Sequence, residues 1–234
     1  DSFQAYVEAK ALLFRNQTAA DYAIICMDDP VARTLAGRTT ATILTIARND
    51  PTANGRVEDG ALVVQLPDSP PEQVAFEREL PLPGAHHTTN FLAAALAARL
   101  CGAPASALAP ALRNYRPAAH LMTLVAELDG VRYVDDSKAT NPASAVADLS
   151  GIEGPVIVIA GGKEKNTDFN EFGRVLRERA KRVVLVGECA ERIRQAVDSP
   201  DRCVDAASME EAVRLAREVA TPGDTVILCP GCSS

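Results

Sequence analysis

The 234-residue sequence predicts an α/β protein whose C-terminal half is an open, mainly parallel sheet of the Rossmann-like type. The first observation behind this prediction is an alternation of short apolar runs with helices of roughly 10–15 residues, the pattern of βαβ units. The second is the composition, with 47% hydrophobic and 24% charged residues. Such a composition is that of a globular chain with a real core, and it excludes disorder, a collagen-like repeat and a coiled coil.

The N-terminal half opens with an amphipathic helix, predicted at 3–16 and capped by Asp1 or Ser2. An Asp59-Gly60 pair predicts a hairpin turn. The other elements predicted in this half are strands at 22–27, 41–47 and 61–66 and helices at 86–101 and 105–114. The helix at 86–101 is apolar nearly all round, so we expect it to be buried. The pattern breaks around 116–119, which puts the domain boundary between residues 117 and 118.

The C-terminal half, 118–234, begins with a hairpin of strands at 122–128 and 131–134 around Asp129-Gly130. Strong β/α alternation follows. It predicts strands at 155–160, 182–186, 202–205 and 224–229 and helices at 169–180, 189–197 and 208–220.

Three of these strands are followed by polar loops, at 135–142, 161–168 and 230–234. Ligands of open α/β sheets bind beyond the carboxyl ends of the strands. Together the loops bring lysines, hydroxyls and glycine backbone to one edge, which suits a ligand bearing a carboxylate or a phosphate. Taken singly, each loop is more typical of a polar turn that caps a helix.

The distribution of lysine supports the functional interpretation. The chain has five lysines against nineteen arginines, and three of the five lie in these loops: Lys138, Lys163 and Lys165. Lysine offers a compact point charge and an amine that can lose its proton, which arginine does not. Compositional bias in the coding DNA is the alternative explanation.

Charge and hydropathy restrict the partners. A net charge of −7 argues against a nucleic-acid partner, although a local basic pocket remains compatible with it. No apolar run approaches the ~18 residues of a membrane span, and no leader opens the chain. We therefore expect a cytoplasmic protein without a membrane partner.

The six cysteines include one suggestive pair, Cys229-Pro-Gly-Cys232. A redox pair of this spacing needs a helix start behind it, and a zinc site needs more ligands than the pair supplies. A turn after a buried strand is the better interpretation.

The ends of the chain predict a fragment of a longer protein. The sequence starts at Asp1 directly in a helix and stops at Ser234 just after a strand.

Three runs carry a family resemblance: GAHHTTN at 84–90, YVDDSKATN at 133–141 and GGKEK at 161–165. Together they resemble the Mur ligase family, and the DSKATN part is the most specific. The stretches at 3–10 and 28–30 also fit, so the resemblance covers essentially the whole chain. It implies that the Rossmann-like domain is preceded by the back part of a P-loop-type, ATP-binding α/β domain.

The activity implied by the resemblance is ATP-dependent amide-bond formation through an acyl phosphate, with Mg²⁺ as the metal. The sequence is nearest to the members that add D-glutamate to UDP-N-acetylmuramoyl-L-alanine in peptidoglycan synthesis. A monomer is expected as well.

The resemblance also implies roles for single residues. Lys10 matches a lysine that CO2 converts to a carbamate, an anionic oxygen ligand for Mg²⁺; without the resemblance, a lysine stem along a helix face is the ordinary interpretation. Three residues match positions that contact ATP. Asn90 matches the asparagine at the adenine end, and Asp136 matches the acid near the ribose. His120 matches a histidine on the interdomain linker. The positions that hold the incoming D-glutamate or the phosphoryl group are matched by Lys138, Thr140, Lys165 and Ser234.

Two positions depart from the family pattern. His87 stands where the first asparagine of Gly-x-His-Asn is expected, and Leu121 replaces the arginine of the linker. The phosphate loop, G-x-x-x-x-G-K-[ST], is missing from these 234 residues, so we expect it upstream of Asp1 and expect this piece alone to lack catalysis.

Two other classes of function stay open. The departures at His87 and Leu121 favour a noncatalytic α/β module that binds a nucleotide or an acidic metabolite. A nicotinamide-dependent oxidoreductase is weaker, because no G-x-G-x-x-G follows a strand and a fold alone does not give a function.

Overall fold

The computed structural model describes residues 2–163 and 167–233 and divides the chain into two compact units, 1–115 and 116–234. The division falls two residues before the predicted boundary.

The N-terminal unit is a five-stranded sheet with four α-helices. Its helices are α1 (Phe3–Ala11), α2 (Pro30–Leu35), α3 (Ala85–Leu100) and α4 (Ala105–Arg113), and its strands are β1 (Tyr22–Cys26), β2 (Thr42–Ile46), β3 (Gly55–Glu58), β4 (Ala61–Val64) and β5 (Glu72–Phe76). The sheet order follows the chain from β1 to β5. The strands β1 to β3 are parallel, whereas β4 and β5 are antiparallel. Asp59 and Gly60 both have positive φ, 49° and 75°, as a two-residue type I′ turn requires.

The sequence predicts most of this unit, with two omissions and one error. The first helix ends earlier than expected, at Ala11, and a 3-10 turn at Leu12–Phe14 continues it; Ser2 caps it by accepting the Ala5 N–H. The elements α2 and β5 were not predicted. The expectation that α3 is buried nearly all round is wrong, because Ala94 and Ala97 are exposed and the buried residues form one face.

The C-terminal unit is a six-stranded sheet with four helices. Its strands are β6 (Thr123–Leu128), β7 (Val131–Asp135), β8 (Val156–Gly161), β9 (Ala180–Val186), β10 (Cys203–Asp205) and β11 (Thr225–Leu228), and its helices are α5 (Pro142–Ser150), α6 (Asn170–Arg179), α7 (Ala190–Val197) and α8 (Met209–Val219). The sheet order is β10-β9-β8-β11-β7-β6. All neighbours are parallel except β6 with β7. The open, mainly parallel Rossmann-like sheet is confirmed.

Both faces of this sheet are covered, and β8 shows it most clearly. All six of its residues are buried. Val158 packs with α5, α6 and α7 in one core, whereas Ile157 and Ile159 pack with α8 in the other. Side chains alternate between the faces of a strand, so a strand covered on both sides is apolar throughout. The continuous apolar run at 156–160 is therefore the mark of a central strand.

The helix between β7 and β8, α5, was not among the predicted elements. Asn141 caps it by accepting the Ser144 N–H at 2.9 Å, and Pro142 occupies its first position. Proline suits a first helical position because the N–H that it lacks has no partner inside the helix. An Asn-Pro pair that reads as a turn is thus a helix start.

Within the described ranges, 2–163 and 167–233, no helix is both long and apolar enough to cross a membrane.

A glycine at the packed contact between α6 and α7 gives a stability prediction. A Cβ added at Gly173 would overlap the backbone of Ala196 on α7. We expect Gly173→Ala to lower the free energy of unfolding by about 1–3 kcal/mol, because the two helices must separate to admit a methyl group. Urea denaturation followed by circular dichroism measures the change.

Gly37 is the matched control, since a Cβ there meets nothing within 4 Å. Gly37→Ala should change the free energy of unfolding by less than about 0.5 kcal/mol. Equal effects of the two variants would contradict the close-contact argument.

Candidate functional site

The three polar loops of the C-terminal unit lie side by side, because they follow the neighbouring parallel strands β7, β8 and β11. Leu228 at the end of β11 is level with both Asp135 and Ile159 on the flanking strands. The carboxyl ends of the three strands therefore share one edge of the sheet, as the sequence predicts.

Backbone hydrogen bonds join the three loops into one rim. The Gly231 N–H donates to the carbonyl of Ala139 at 2.9 Å, which links the β11 loop to the β7 loop. The Lys163 N–H donates to the carbonyl of Ser233 at 2.7 Å, which links the β8 loop to the β11 loop. We call residues 136–141, 161–163 and 229–233 the loop rim.

Close packing fixes the conformation of the rim. Gly231 has a φ of 68°, and a Cβ added there would overlap the ring of Phe172 on α6. Only glycine combines this backbone conformation with so near a neighbour.

The rim exposes the side chains of Lys138, Thr140 and Lys163 to solvent. The Thr140 N–H donates to the carbonyl of Lys138 at 2.8 Å, so that the two residues share one tight turn. An ammonium group and a hydroxyl on one turn are complementary to a carboxylate or phosphate oxygen. Lys165 and Ser234, which the sequence also assigns to this site, lie outside the described residues.

The segment before β6 is hydrogen-bonded to the same rim. His120 and Met122 have positive φ values, 68° and 44°. The carbonyl of His120 accepts the Lys138 N–H at 3.1 Å, and the Met122 N–H donates to Asp136 Oδ1 at 3.1 Å. His120, which the sequence places at the nucleotide, thus meets Lys138 and Asp136 in one hydrogen-bonded network.

The imidazole of His120 is mostly exposed, and its Nδ1 lies 2.7 Å from Asp135 Oδ2. Burial raises the pKa of Asp135, but its hydrogen bonds with His120 and Ser137 outweigh burial and leave that pKa below its usual value. Asp135 is therefore an anion that orients the imidazole.

The pKa of Asp136 is shifted in the opposite direction from that of Asp135. Asp136 is fully buried, and burial together with the nearby charge of Asp148 on α5 raises its pKa to about 7. A buried carboxyl does not contact a ribose in this conformation, so the nucleotide role of Asp136 stays a prediction. What the structure does show is a carboxyl that fixes the linker by accepting the Met122 N–H.

Cys229 and Cys232 are both buried and unbridged. Burial, followed by the charges of Asp136 and Asp148, raises the pKa of the Cys229 thiol well above its usual value. Thiols are reactive as thiolates, so this environment opposes a redox role. It agrees with a turn after a buried strand.

The N-terminal unit carries a second candidate site, a cleft of about 610 Å³ at the carboxyl ends of β1 and β2. The residues that line it include Asp28, Arg48, His86, Thr89 and Asn90. Asn90 is exposed on α3, close to the start of that helix. A volume within the roughly 300–1,000 Å³ range of small-molecule pockets suits a nucleotide-sized ligand.

Lys10 does not line this cleft. It lies exposed on α1, with its ammonium 5.3 Å from the ring centre of Tyr6. An ammonium has no free electron pair for a metal, so Lys10 in this form does not fit Mg²⁺; a carbamate on the same nitrogen would supply oxygen ligands.

The two departures from the family pattern lie in different environments. His87 is only 6% exposed and belongs to the buried face of α3. Leu121 is half-buried between the two residues with positive φ.

Sequence reasoning overlooked Asp135, Asp148 and Arg48. Asp148 could have been identified from the sequence, because it falls on the same helical face as the apolar Ala145 and Leu149. An acid in an apolar stripe marks an unusual environment. Arg48 has no such signal, since it is one of nineteen arginines.

Sequence comparison identifies the family to which this chain belongs. The profile of the Mur ligase middle domain matches residues 1–98, and that of the Mur ligase glutamate ligase domain matches residues 122–232. The chain belongs to the Mur ligase family.

Within that family the chain is similar to enzymes named UDP-N-acetylmuramoylalanine--D-glutamate ligase. The one from Pelotomaculum thermopropionicum is 40% identical over 231 residues, covering 98% of this chain and 51% of the relative. That from Symbiobacterium thermophilum is 38% identical, covering all of this chain and 52% of the relative. The chain thus spans about half the length of the curated relatives it matches.

Solved structures show the same fold at low sequence identity. A pseudomurein peptide ligase type C from Methanothermus fervidus has a TM-score of 0.73 at 14% identity, covering 97% of this chain and 57% of that one. MurF from Acinetobacter baumannii has a TM-score of 0.71 at 16% identity, covering 98% and 52%.

The raised pKa of Asp136 gives a prediction about stability and pH. Between about pH 4 and pH 7 the folded state keeps the Asp136 proton while the unfolded state has lost it, so stability falls as the pH rises. Asn stays neutral at every pH. We therefore expect the free energy of unfolding of Asp136→Asn to fall by a few kcal/mol less between pH 5 and pH 8 than that of the unchanged chain. Urea unfolding at both pH values measures it.

Asp201→Asn is the control, because it removes an exposed acid from the same unit. Its pH dependence should follow that of the unchanged chain. If Asp136→Asn also runs parallel to the unchanged chain, Asp136 does not bind its proton more tightly on folding.

Proposed function

We propose that the full-length protein is a cytoplasmic, ATP-dependent ligase that adds D-glutamate to UDP-N-acetylmuramoyl-L-alanine in peptidoglycan synthesis. The observation that carries the proposal is the loop rim, which presents Lys138 and Thr140 on one tight turn. It lies in the domain that matches the glutamate ligase profile. The similarity to D-glutamate ligases along 98–100% of the chain supports this choice of substrates.

The proposed reaction has two steps. The substrate carboxylate attacks the γ-phosphorus of ATP and forms an acyl phosphate, with ADP as the leaving group. The amine of D-glutamate then attacks the acyl carbon, and the tetrahedral intermediate collapses to the amide, phosphate and a proton. Activation is necessary because a free carboxylate is a poor electrophile towards an amine.

The residues of the loop rim would act by binding and orientation. Lys138 and Thr140 supply a charge and a hydroxyl for the D-glutamate carboxylates or the phosphoryl oxygens. We assign Lys165 and Ser234 to the same task from the resemblance. His120, which Asp135 orients, would contact the nucleotide from the linker.

The cleft of the N-terminal unit would receive the base of ATP, with Asn90 contacting the adenine. An amide both donates and accepts hydrogen bonds, as the edge of a purine requires. These 234 residues contain no G-x-x-x-x-G-K-[ST] loop, so we assign none of them to the triphosphate.

Lys10 would contribute a carbamate. Its neutral amine takes up CO2 and releases a proton, which leaves an anionic group whose oxygens can hold Mg²⁺. With Mg²⁺ bound by this group, the charge of the phosphoryl oxygens would be offset.

The proposed function is tested by ADP release from the full-length protein. We expect release that requires both UDP-N-acetylmuramoyl-L-alanine and D-glutamate. Nucleotide binding without turnover would contradict the proposal and favour the noncatalytic binding module. Turnover with another amino acid in place of D-glutamate would contradict the substrate.

The role of Lys138 gives a mutational prediction. We expect Lys138→Ala in the full-length protein to abolish ligation and leave the fold intact, because the side chain is exposed and its backbone N–H still bonds His120. Coupled ADP release measures activity, and circular dichroism measures folding.

Arg214→Ala serves as the control. It removes an exposed positive charge on α8 that pairs with Glu211 and Glu218, and it should keep full activity. Near-normal activity of Lys138→Ala would refute the assignment of Lys138.

The carbamate predicts chemical rescue at position 10. Lys10→Ala should lose activity, and added acetate or formate should partly restore it by replacing the carboxylate-like group. Kinetics at increasing acetate concentration measure the effect. Activity that stays lost at every concentration would count against the carbamate.

A further inference from the structure

The cleft of the N-terminal unit contains a cation, Arg48, to which the proposed function gives no task. It lies two residues beyond the end of β2, and its side chain is 27% exposed. Asn90 from α3 also lines the cleft. Arg48 and Asn90 therefore border the same space.

Three contacts of Arg48 fix its position. Its Nη1 lies 2.8 Å from Glu77 Oε1, and that same oxygen accepts the Thr88 hydroxyl at 2.9 Å. Its backbone N–H donates to Asp28 Oδ2 at 2.9 Å, and its carbonyl accepts the Val57 N–H at 3.1 Å. A guanidinium held in this way is ordered before a ligand arrives, so binding costs it little conformational entropy.

The acids at the cleft decide which part of a nucleotide fits beside Arg48. Asp28 and Asp29 both line the cleft and both are exposed. Two carboxylates repel phosphate oxygens but not an uncharged heterocycle. A nucleotide in this cleft would therefore place its base, and not its phosphates, beside Arg48.

We infer that Arg48 is a further nucleotide-contacting residue, whose guanidinium plane stacks on the purine base that Asn90 recognises. The inference rests on the proposed function for the presence of ATP in this cleft. Arginine suits the task because its planar, delocalised cation stacks on aromatic faces, whereas the ammonium of lysine is a compact point charge. With its edge on Asn90 and its face on Arg48, the base is bound in two perpendicular directions.

The test compares two ligands on variants of the full-length protein, by isothermal titration calorimetry. Arg48→Ala and Arg48→Lys should each weaken ATP binding about three- to tenfold. Binding of inorganic tripolyphosphate, which has no base, should stay unchanged. Arg48→Lys keeps the charge and the ion pair with Glu77, so it preserves the fold while it removes the stacking plane. In ligation assays the KM for ATP should rise while kcat is kept.

Two results would overturn the inference. The first is full ATP affinity in Arg48→Lys, which would mean that only the charge matters. The second is an equal loss of ATP and tripolyphosphate binding, which would place Arg48 at the phosphates. Arg113→Ala is the matched control, since it breaks an exposed ion pair with Glu79 in the same unit and should bind both ligands normally.

Asn90→Ala separates this inference from the proposed function. Weaker ATP binding in Asn90→Ala with unchanged binding in both Arg48 variants would refute the inference alone. Absence of D-glutamate-dependent ADP release from the unchanged protein would refute the proposed reaction, while the two-ligand comparison would still report on Arg48.

Discussion

The parallel pairing of β11 between β7 and β8 is the constraint on which the candidate site of the C-terminal unit depends. It brings together loops that are separated by up to about a hundred residues of sequence. Parallel strands end at the same edge, so their loops lie against one another. The backbone N–H and C=O groups of one loop then form hydrogen bonds with the neighbouring loops. The bonds from Gly231 to Ala139 and from Lys163 to Ser233 are the result. A change in one loop must therefore disturb the other two.

The same rule of parallel strands produces a site of different character in the N-terminal unit. There the ends of β1 and β2 meet the start of α3 around a cleft with acids, an amide and a half-buried guanidinium. The loop rim instead exposes lysines and hydroxyls. The first surface is complementary to an uncharged heterocycle, and the second to anionic oxygens. The proposed ligase, which uses ATP to activate a carboxylate and then adds D-glutamate, needs one of each.

What the sequence can predict follows from how locally each feature is determined. The strand β8 is recognisable because burial on both faces demands an unbroken apolar run. The helices α2 and α5 were missed for one shared reason: each opens with Asp-Pro or Asn-Pro, which marks a turn and a helix start equally well. The strand β5 has no such sequence marker. Its pairing with β4 is irregular, with a register shift between Leu62 and Val63.

The candidate site divides in the same way. The lysine-bearing loops are predictable because the strand-end rule needs only the order of elements. The difference between Asp135 and Asp136 is not, because neighbouring identical residues point to opposite sides of the chain and the sequence does not say which side is inward. The role inferred for Arg48 is also not predictable, because it depends on the nearby Glu77 and Asn90, which are distant in sequence.

The buried carboxyl of Asp136 explains how the linker and the loop rim are coupled. Burying an acid costs stability, and so does a positive φ at residues such as His120 and Met122. Asp136, the buried acid, and Met122, which has positive φ, are joined by one hydrogen bond, from the Met122 N–H to Asp136 Oδ1. This bond holds the strained backbone against the rim. A second bond, from the Lys138 N–H to the carbonyl of His120, runs beside it. Any rotation of the backbone at 120–122 must therefore break these bonds or move Lys138, so the conformation of the linker and the position of the proposed substrate-binding lysine are set together.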